Sequence, residues 1–137
     1  MLSEEESDVD LKGLEVLLVE DNSSTRTMVR IYFECHGIIV HEATNGVEAI
    51  RKFNELHPDV CVVDIGLPDR NGFEVAEQIR LAENQPLALI AMTGYGLPQD
   101  REKASKAGFD LHLIKPVDPE RLVVEIRRVV NESTKCK

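Results

Sequence analysis

Glu20 and Asp21, Asp64, Thr93 and Lys115 stand where apolar runs stop. Val16-Leu17-Leu18-Val19 gives way to Glu20-Asp21, and Asp59-Val60-Cys61-Val62-Val63 ends at Asp64. The run from Leu87 to Met92 ends at Thr93, and Leu111-His112-Leu113-Ile114 ends at Lys115-Pro116. Three carboxylates crowded into one dry pocket would repel one another, raising a pKa or weakening the fold, unless positive charge intervenes. A hard divalent cation answers that need. Mg2+ prefers oxygen ligands, keeps several waters, and takes one or two carboxylates together with phosphate oxygens. Lys115 adds a second positive charge and Thr93 a neutral donor, a set that suits a phosphoryl group better than a carbonyl substrate. Thr93 has no His or Asp neighbour in sequence to serve as its base, whereas Asp64 is already ionised and can attack phosphorus directly. The product would be an acyl phosphate whose added charge draws Thr93 and Lys115 inward. Taken singly, each residue has a plainer reading: Asp64 as a cap or turn residue, Glu20-Asp21 as a helix-start charge pair, Thr93-Gly94 as a strand-end turn.

The elements that must position these groups alternate along the chain. Buried parallel strands read as continuous Val/Ile/Leu runs, and each parallel pair needs a crossover helix. Asn22 to Cys35 carries Met28, Ile31, Tyr32 and Cys35 at helical spacing, with Gly37 as a stop, and Ile38 to Ala43 reads as a short strand. A second helix opens at Asn45-Gly46 and runs to about Leu56, with Val47, Ile50 and Phe53 on one stripe; Pro58 separates it from the Asp59 strand. A third helix follows Asn71-Gly72 with Val75, Ala76 and Ile79, and a polar fourth spans Leu97 to Ala107 before Gly108. Asp118 is a good N-cap for the last helix, Pro119 suits its first position, and Leu122, Ile126 and Val129 form its stripe. Strict alternation implies one doubly wound α/β domain, a five-stranded parallel sheet flanked by five helices in a flavodoxin-like three-layer sandwich. In such folds ligands bind beyond the carboxyl ends of the strands, where all four clusters fall. A chain of 137 residues fits one such domain with a sizeable core. The expected division is an acidic flexible leader at 1–12, the folded domain at 13–131 and a flexible tail at 132–137.

Composition narrows the function. Lys+Arg 16 against Asp+Glu 25 gives a net charge of -9, which disfavours nucleic acid or an anionic membrane surface as partner. The N-terminus lacks an apolar signal region and no apolar stretch approaches the roughly 20 residues of a membrane span, so a cytoplasmic location is expected. Cys35, Cys61 and Cys136 have neither disulfide nor zinc spacing; Cys35 and Cys61 read as small core residues. His36, His41 and His57 are read as surface residues, since no nucleophile lies at catalytic spacing from them.

Glu20-Asp21, Asp64 followed by Leu67-Pro68, Thr93-Gly94 and Lys115-Pro116 resemble the receiver domains of two-component response regulators and hybrid sensor kinases. The resemblance covers about Leu14 to Val130. Asp64-Ile65-Gly66-Leu67-Pro68, Met92-Thr93-Gly94-Tyr95-Gly96 and Ala107-Gly108-Phe109-Asp110 are most similar to receivers attached to hybrid histidine kinases. The resemblance implies the strand order 2-1-3-4-5. It implies that Asp64 accepts a phosphoryl group from a phosphohistidine on a kinase or histidine phosphotransfer domain. Asp21 and Asp64 would bind Mg2+ directly, Glu20 through water, and the Gly66 carbonyl would complete the protein ligands. Lys115 and the amides of Ile65 and Gly94 would contact phosphate, Thr93 would be the switch hydroxyl, and Lys115-Pro116 is a peptide often cis in this family.

Two positions depart from the family pattern. His112 stands where the resemblance expects the aromatic switch, and a plain exposed strand histidine is its simplest reading, given an unperturbed pKa near 6.5. Gly66 leaves room for water near the acceptor whereas Tyr95 would cover it, so their effects on phosphate lifetime oppose each other. A downstream protein partner is expected on the face from Leu97 to Val130, where Arg101, Lys103, Lys106, Arg121 and Arg127 would meet acidic groups. The chain is expected to be a monomer or a phosphorylation-dependent dimer that either works alone through noncovalent partners or, as its loops favour, is a piece of a larger hybrid kinase or regulator. It would be a signalling module and not an enzyme acting on a separate substrate. A Mg2+-dependent phosphatase with an aspartyl-phosphate intermediate would need a general acid two residues after the nucleophile, where Gly66 stands; a phosphorylation-independent scaffold would not need Asp64, Thr93 and Lys115 together.

Overall fold

The structure, a computed structural model, describes residues 11–69, 71–83, 86–94 and 98–135. Ten elements alternate: β1 (Glu15–Val19), α1 (Ser23–Glu34), β2 (Ile39–Ala43), α2 (Gly46–Leu56), β3 (Val60–Asp64), α3 (Gly72–Ala82), β4 (Ala88–Thr93), α4 (Pro98–Ala107), β5 (Leu111–Ile114) and α5 (Pro119–Lys135). The strands form one parallel sheet in the order β2-β1-β3-β4-β5. The chain leaves β1 for β2 on one side and then crosses to β3 on the other. The crevice beyond the carboxyl ends of β1 and β3 is therefore the switch point of the fold.

Alternate side chains of each strand feed opposite layers. Leu17, Val19, Cys61, Val63, Leu89 and Ala91 pack with Ala49 and Phe53 of α2, Val75, Ala76 and Ile79 of α3, and Ala104 and Ala107 of α4. Val16, Leu18, Val60, Val62, Ile90 and Met92 pack with Val29 and Phe33 of α1 and with Leu122, Ile126 and Val129 of α5. Both faces of the central strands are thus covered, which is why they read as unbroken apolar runs. Phe33, fully buried at the centre of the α1 layer, would cost about 3–5 kcal/mol if cut to Ala.

Polar side chains set where helices begin. Asn22, Asn45 and Asn71 accept from the amides of Thr25, Glu48 and Glu74 at 2.9, 2.8 and 2.9 Å, each satisfying an amide that has no partner within its helix. Asp118 accepts from the Glu120 amide at 3.0 Å at the start of α5. At the other end of α1, Gly37 takes φ +80, a left-handed conformation that other residues pay to adopt, and the Ile38 amide closes back onto Phe33 O at 3.2 Å.

Four expectations change. The α1 stripe is not Met28, Ile31 and Cys35: Met28 and Ile31 are 50% and 52% exposed, Cys35 is exposed, and the inward stripe is Val29 and Phe33 with Tyr32 at its margin. On α2, Val47 faces outward while Ala49 joins Phe53 in the core. Leu11, assigned to the leader, is buried against the α1 layer. The last helix continues to Lys135, past the 131 boundary drawn from the sequence, and the termini beyond lie outside the described residues.

Candidate functional site

Parallel register brings the strand ends together. Glu20 follows β1 and its amide bonds Ala43 O at 3.0 Å; Asp64 closes β3 opposite Met92; Thr93 closes β4 opposite Ile114; Lys115 follows β5. Glu20, Asp21 and Asp64 each place a carboxylate oxygen within 4.8 Å of the others. Glu20 is wholly buried, Asp64 and Thr93 nearly so, and Asp21 is exposed at the mouth.

Lys115 supplies one positive charge to the inner pair. Its Nζ donates to Asp64 Oδ2 at 3.0 Å and lies 3.0 Å from Glu20 Oε1. Burial disfavours the ammonium, but the hydrogen bond to Asp64 and the charges of Asp64 and Glu20 outweigh it and hold the Lys115 pKa above the usual lysine value. Burial, with the Asp64 charge added, pushes the Glu20 carboxyl up against the opposing pull of the Asn22 amide and Lys115. Glu20 Oε2 accepts from the Asn22 amide at 3.0 Å, whereas the Oε1 contact with Lys115 is an ion pair without hydrogen-bond geometry. A buried carboxylate oxygen that accepts no hydrogen bond among the described residues, beside two further carboxylates, fits an oxygen-preferring cation such as Mg2+.

The backbone around Asp64 corrects one assignment. The Ile65 amide, expected to face phosphate, donates to Met92 O at 2.9 Å and so continues the β3–β4 ladder beyond the last strand residue. The amide turned toward the Asp64 carboxylate is that of Gly66, which donates to Oδ1 at 3.0 Å. Among the described residues, a Cβ at Gly66 would meet only Asp64 Oδ1, at 3.9 Å. Gly66 therefore leaves open space at the Asp64 carboxylate. Lys115-Pro116 is cis, and the Lys115 amide bonds Thr93 O at 2.6 Å.

A residue passed over in the sequence holds the acidic loop from behind. Arg26 Nη1 donates to Glu20 O at 2.9 Å while its Nε lies 3.5 Å from Glu42 Oε1 on β2. Its contact with Glu20 is to backbone, so no side-chain pattern announces it. Tyr95 and Leu97 lie outside the described residues.

His112 is not the exposed histidine expected. It is half-buried, and among the described residues neither ring nitrogen has a hydrogen-bond partner. Burial first, and then the Arg101 charge, lower its pKa, with Asp100 opposing. It lines a cavity of about 330 Å³ with Arg101, Ile114, Asp118 and Arg121. On the same face Arg101 and Lys103 are exposed, while Lys106 and Arg121 pair with Glu102 and Glu125 of their own helices at 3.6 and 2.9 Å. Arg127, expected to meet a partner on this face, is half-buried with its Nε enclosed. Buried Cys61 has its thiol pKa pushed up by desolvation, so it carries no thiolate chemistry. No described helix is long and apolar enough to cross a membrane.

Residues 16–127 match the family model described as the response regulator receiver domain. The chain is 36% identical over 114 residues to an uncharacterized 14.6 kDa protein of Leptolyngbya boryana, covering 82% of this chain and 87% of that one. It is 31% identical over 119 residues to the transcriptional regulatory protein ResD of Bacillus subtilis, covering 87% of this chain but 49% of ResD, so it spans about half of that regulator. A response regulator receiver domain protein from Methanospirillum hungatei superposes with TM-score 0.85 at 26% identity, over 92% of this chain and all (100%) of that one. The receiver domain of Ssk1, solved in complex with the histidine phosphotransfer protein Ypd1 of Saccharomyces cerevisiae, is represented by a match with TM-score 0.77 at 29% identity over 82% of this chain and 86% of the other.

Proposed function

Because the chain belongs to the response regulator receiver domain family, we propose that Asp64 accepts a phosphoryl group from a phosphohistidine and that its modification switches binding to a partner. The observation that carries this reading is the Asp64 carboxylate itself, held between the Gly66 amide and Lys115 Nζ, at 3.0 Å each, within a cluster of three acids. An Asp64 oxygen attacks phosphorus; the phosphorus–nitrogen bond breaks, and its electron pair returns to the donor imidazole, which takes up a proton. Lys115 pairs with charge on the phosphoryl oxygens, and the open side at Gly66 leaves room for them. Asp21, Asp64 and Glu20 would hold Mg2+, with the Gly66 carbonyl as a further ligand; bound there, the ion supplies positive charge against the transferring group.

A histidine-bearing donor protein has an apolar place to dock. A cavity of about 290 Å³ lined by Thr25, Met28, Val29, Met92, Pro116 and Val117 borders Lys115, and exposed Ile31 extends that apolar surface along α1. The Ssk1 receiver was solved with a histidine phosphotransfer protein, which supports the same donor class here. After transfer, added charge at Asp64 recruits Lys115 and the Thr93 hydroxyl. The Lys115 amide bond to Thr93 O carries that change from β4 into β5 and on to the face formed by α4, β5 and α5.

Wild type and Asp64→Asn, incubated with Mg2+ and phosphoramidate, test the reading by intact mass. One labile phosphate on wild type alone is expected. Equal labelling of Asp64→Asn would overturn the assignment, and sustained release of phosphate from an added phosphomonoester would make the protein a hydrolase.

A further inference from the structure

The loop between β3 and α3 is tied to α2 by one side chain. Asp69 Oδ1 accepts from the Gly46 amide at 2.7 Å and Oδ2 from the Val47 amide at 3.0 Å. Those are the first two amides of α2, which lack partners inside the helix, and a carboxylate is favoured there by the helix dipole as well. Asn45 already caps the same helix through the Glu48 amide at 2.8 Å, so α2 has its usual cap without Asp69. What Asp69 adds is a link to another segment, 22 and 23 residues away in sequence.

That segment begins at the phosphoacceptor. The Ile65 amide is fixed to Met92 O, and Ile65 O accepts from the Gly72 amide at 2.8 Å. A Cβ at Gly72 would lie 2.8 Å from Ile65 Cα and 2.9 Å from Asp64 O, so the two ends of the loop are in direct contact. Leu67 is sunk into the core between them. Gly66, the residue whose amide holds Asp64 Oδ1, is thus the part of the loop closest to the chemistry and, among the described residues, has no hydrogen bond beyond that one. Resting on the phosphoacceptor reading above, we infer that Asp69 is a positioning residue for Asp64. By chelating two α2 amides it fixes the far side of the loop, and this keeps Gly66 against the acceptor carboxylate.

The comparison that tests this is Asp69→Ala against Asn45→Ala, with Asp69→Asn as the conservative variant. Each is studied as the full chain at a temperature where circular dichroism shows it folded. Two quantities are read: the initial rate of phosphate uptake from acetyl phosphate at saturating Mg2+, and hydrogen exchange at the Gly66 amide. Asp69→Ala should slow uptake roughly tenfold and speed Gly66 exchange, since small misplacement of reacting groups costs that much or more. Asp69→Asn, which keeps one acceptor, should fall between. Asn45→Ala should lower the melting temperature and leave both quantities unchanged. Equal effects of Asn45→Ala and Asp69→Ala would overturn the inference, as would an unchanged rate and exchange in Asp69→Ala. Should Asp69→Ala fail to fold, Asp69→Asn carries the same comparison. A wild type that takes up no phosphate would instead defeat the phosphoacceptor reading, and Gly66 exchange would still decide whether Asp69 holds the loop.

Discussion

Lys115 Nζ donates to Asp64 Oδ2 at 3.0 Å although their strands are not neighbours, because β4 lies between β3 and β5. The Lys115 side chain reaches past the carboxyl end of β4 to make it, and the same ammonium reaches Glu20 beyond β1. One cation therefore holds acids from two other strand ends.

Replacing it should expose the repulsion that it suppresses. Lys115→Met leaves buried Glu20 and Asp64 without their counter-charge, and unpairing a buried ion pair costs about 3–5 kcal/mol. Lys115 is 28% exposed, so solvent shares the load and about 2 kcal/mol is expected without Mg2+. Added Mg2+ should then recover more stability in the variant than in wild type. Urea denaturation with and without the ion measures both; an unchanged midpoint would mean that the acids do not repel.

Asp21 separates metal binding from folding. It is exposed, so Asp21→Asn should leave stability without Mg2+ within about 0.5 kcal/mol of wild type. A ligand at 100 times its dissociation constant stabilises the folded state by about 2.7 kcal/mol, and the variant should lose most of that gain at the same Mg2+ concentration. Thermal melts across a Mg2+ series would show it. Equal stabilisation of both proteins would remove Asp21 from the ligand set.

The side chains of this site were legible in the sequence because their types declare their chemistry and strand ends declare their place. β3 and β4, covered on both faces, could only read as continuous apolar runs. α1 was less legible: Met28, Ile31 and Cys35 make as good a stripe as Val29 and Phe33, and periodicity does not say which stripe meets the sheet. Backbone partners were not legible at all. The Ile65 amide is spent on Met92 because of strand register, and Asp69 finds amides more than twenty residues back, so neither relationship leaves a local pattern.

His112 gives the protein an acid-sensitive element. Burial and Arg101 lower its folded pKa below the ordinary 6.5, so the folded state favours the neutral ring. The unfolded chain takes up the proton first. The stability contributed by the neutral ring is thus complete above 6.5 and is lost as pH falls through the lower folded value. Asp100 and Arg101 from α4, and Asp118 and Arg121 at the start of α5, are the charges around it. In His112→Phe the decline in stability just below pH 6.5 should flatten relative to wild type. Urea midpoints at about pH 7.5 and about pH 5.5 measure the difference, and parallel declines in the two proteins would exclude His112 as the source.

Arg80 should matter for stability and not for chemistry. From α3 its Nε donates to Gly108 O at 2.8 Å, its Nη1 to Leu87 O at 3.1 Å and Glu83 at 2.9 Å, and its Nη2 to Asp110 Oδ2 at 2.9 Å. Asp110 Oδ2 accepts in turn from the Leu89 amide at 2.8 Å, so one guanidinium joins the end of α3, the start of β4 and the turn into β5. Arg80→Ala leaves these acceptors, from buried Leu87 O to exposed Asp110, without their charged donor, and hydrogen bonds to charged groups contribute about 1.5–3 kcal/mol each. With partial solvent compensation, a net loss of about 2–3 kcal/mol is expected. Arg80→Lys should restore only part of it, because an ammonium cannot reproduce the planar fork that serves these partners at once. Phosphate uptake at Asp64, measured well below the melting temperature, should match wild type in both variants. Full rescue by lysine would show that charge alone, and not the fork, holds these segments together.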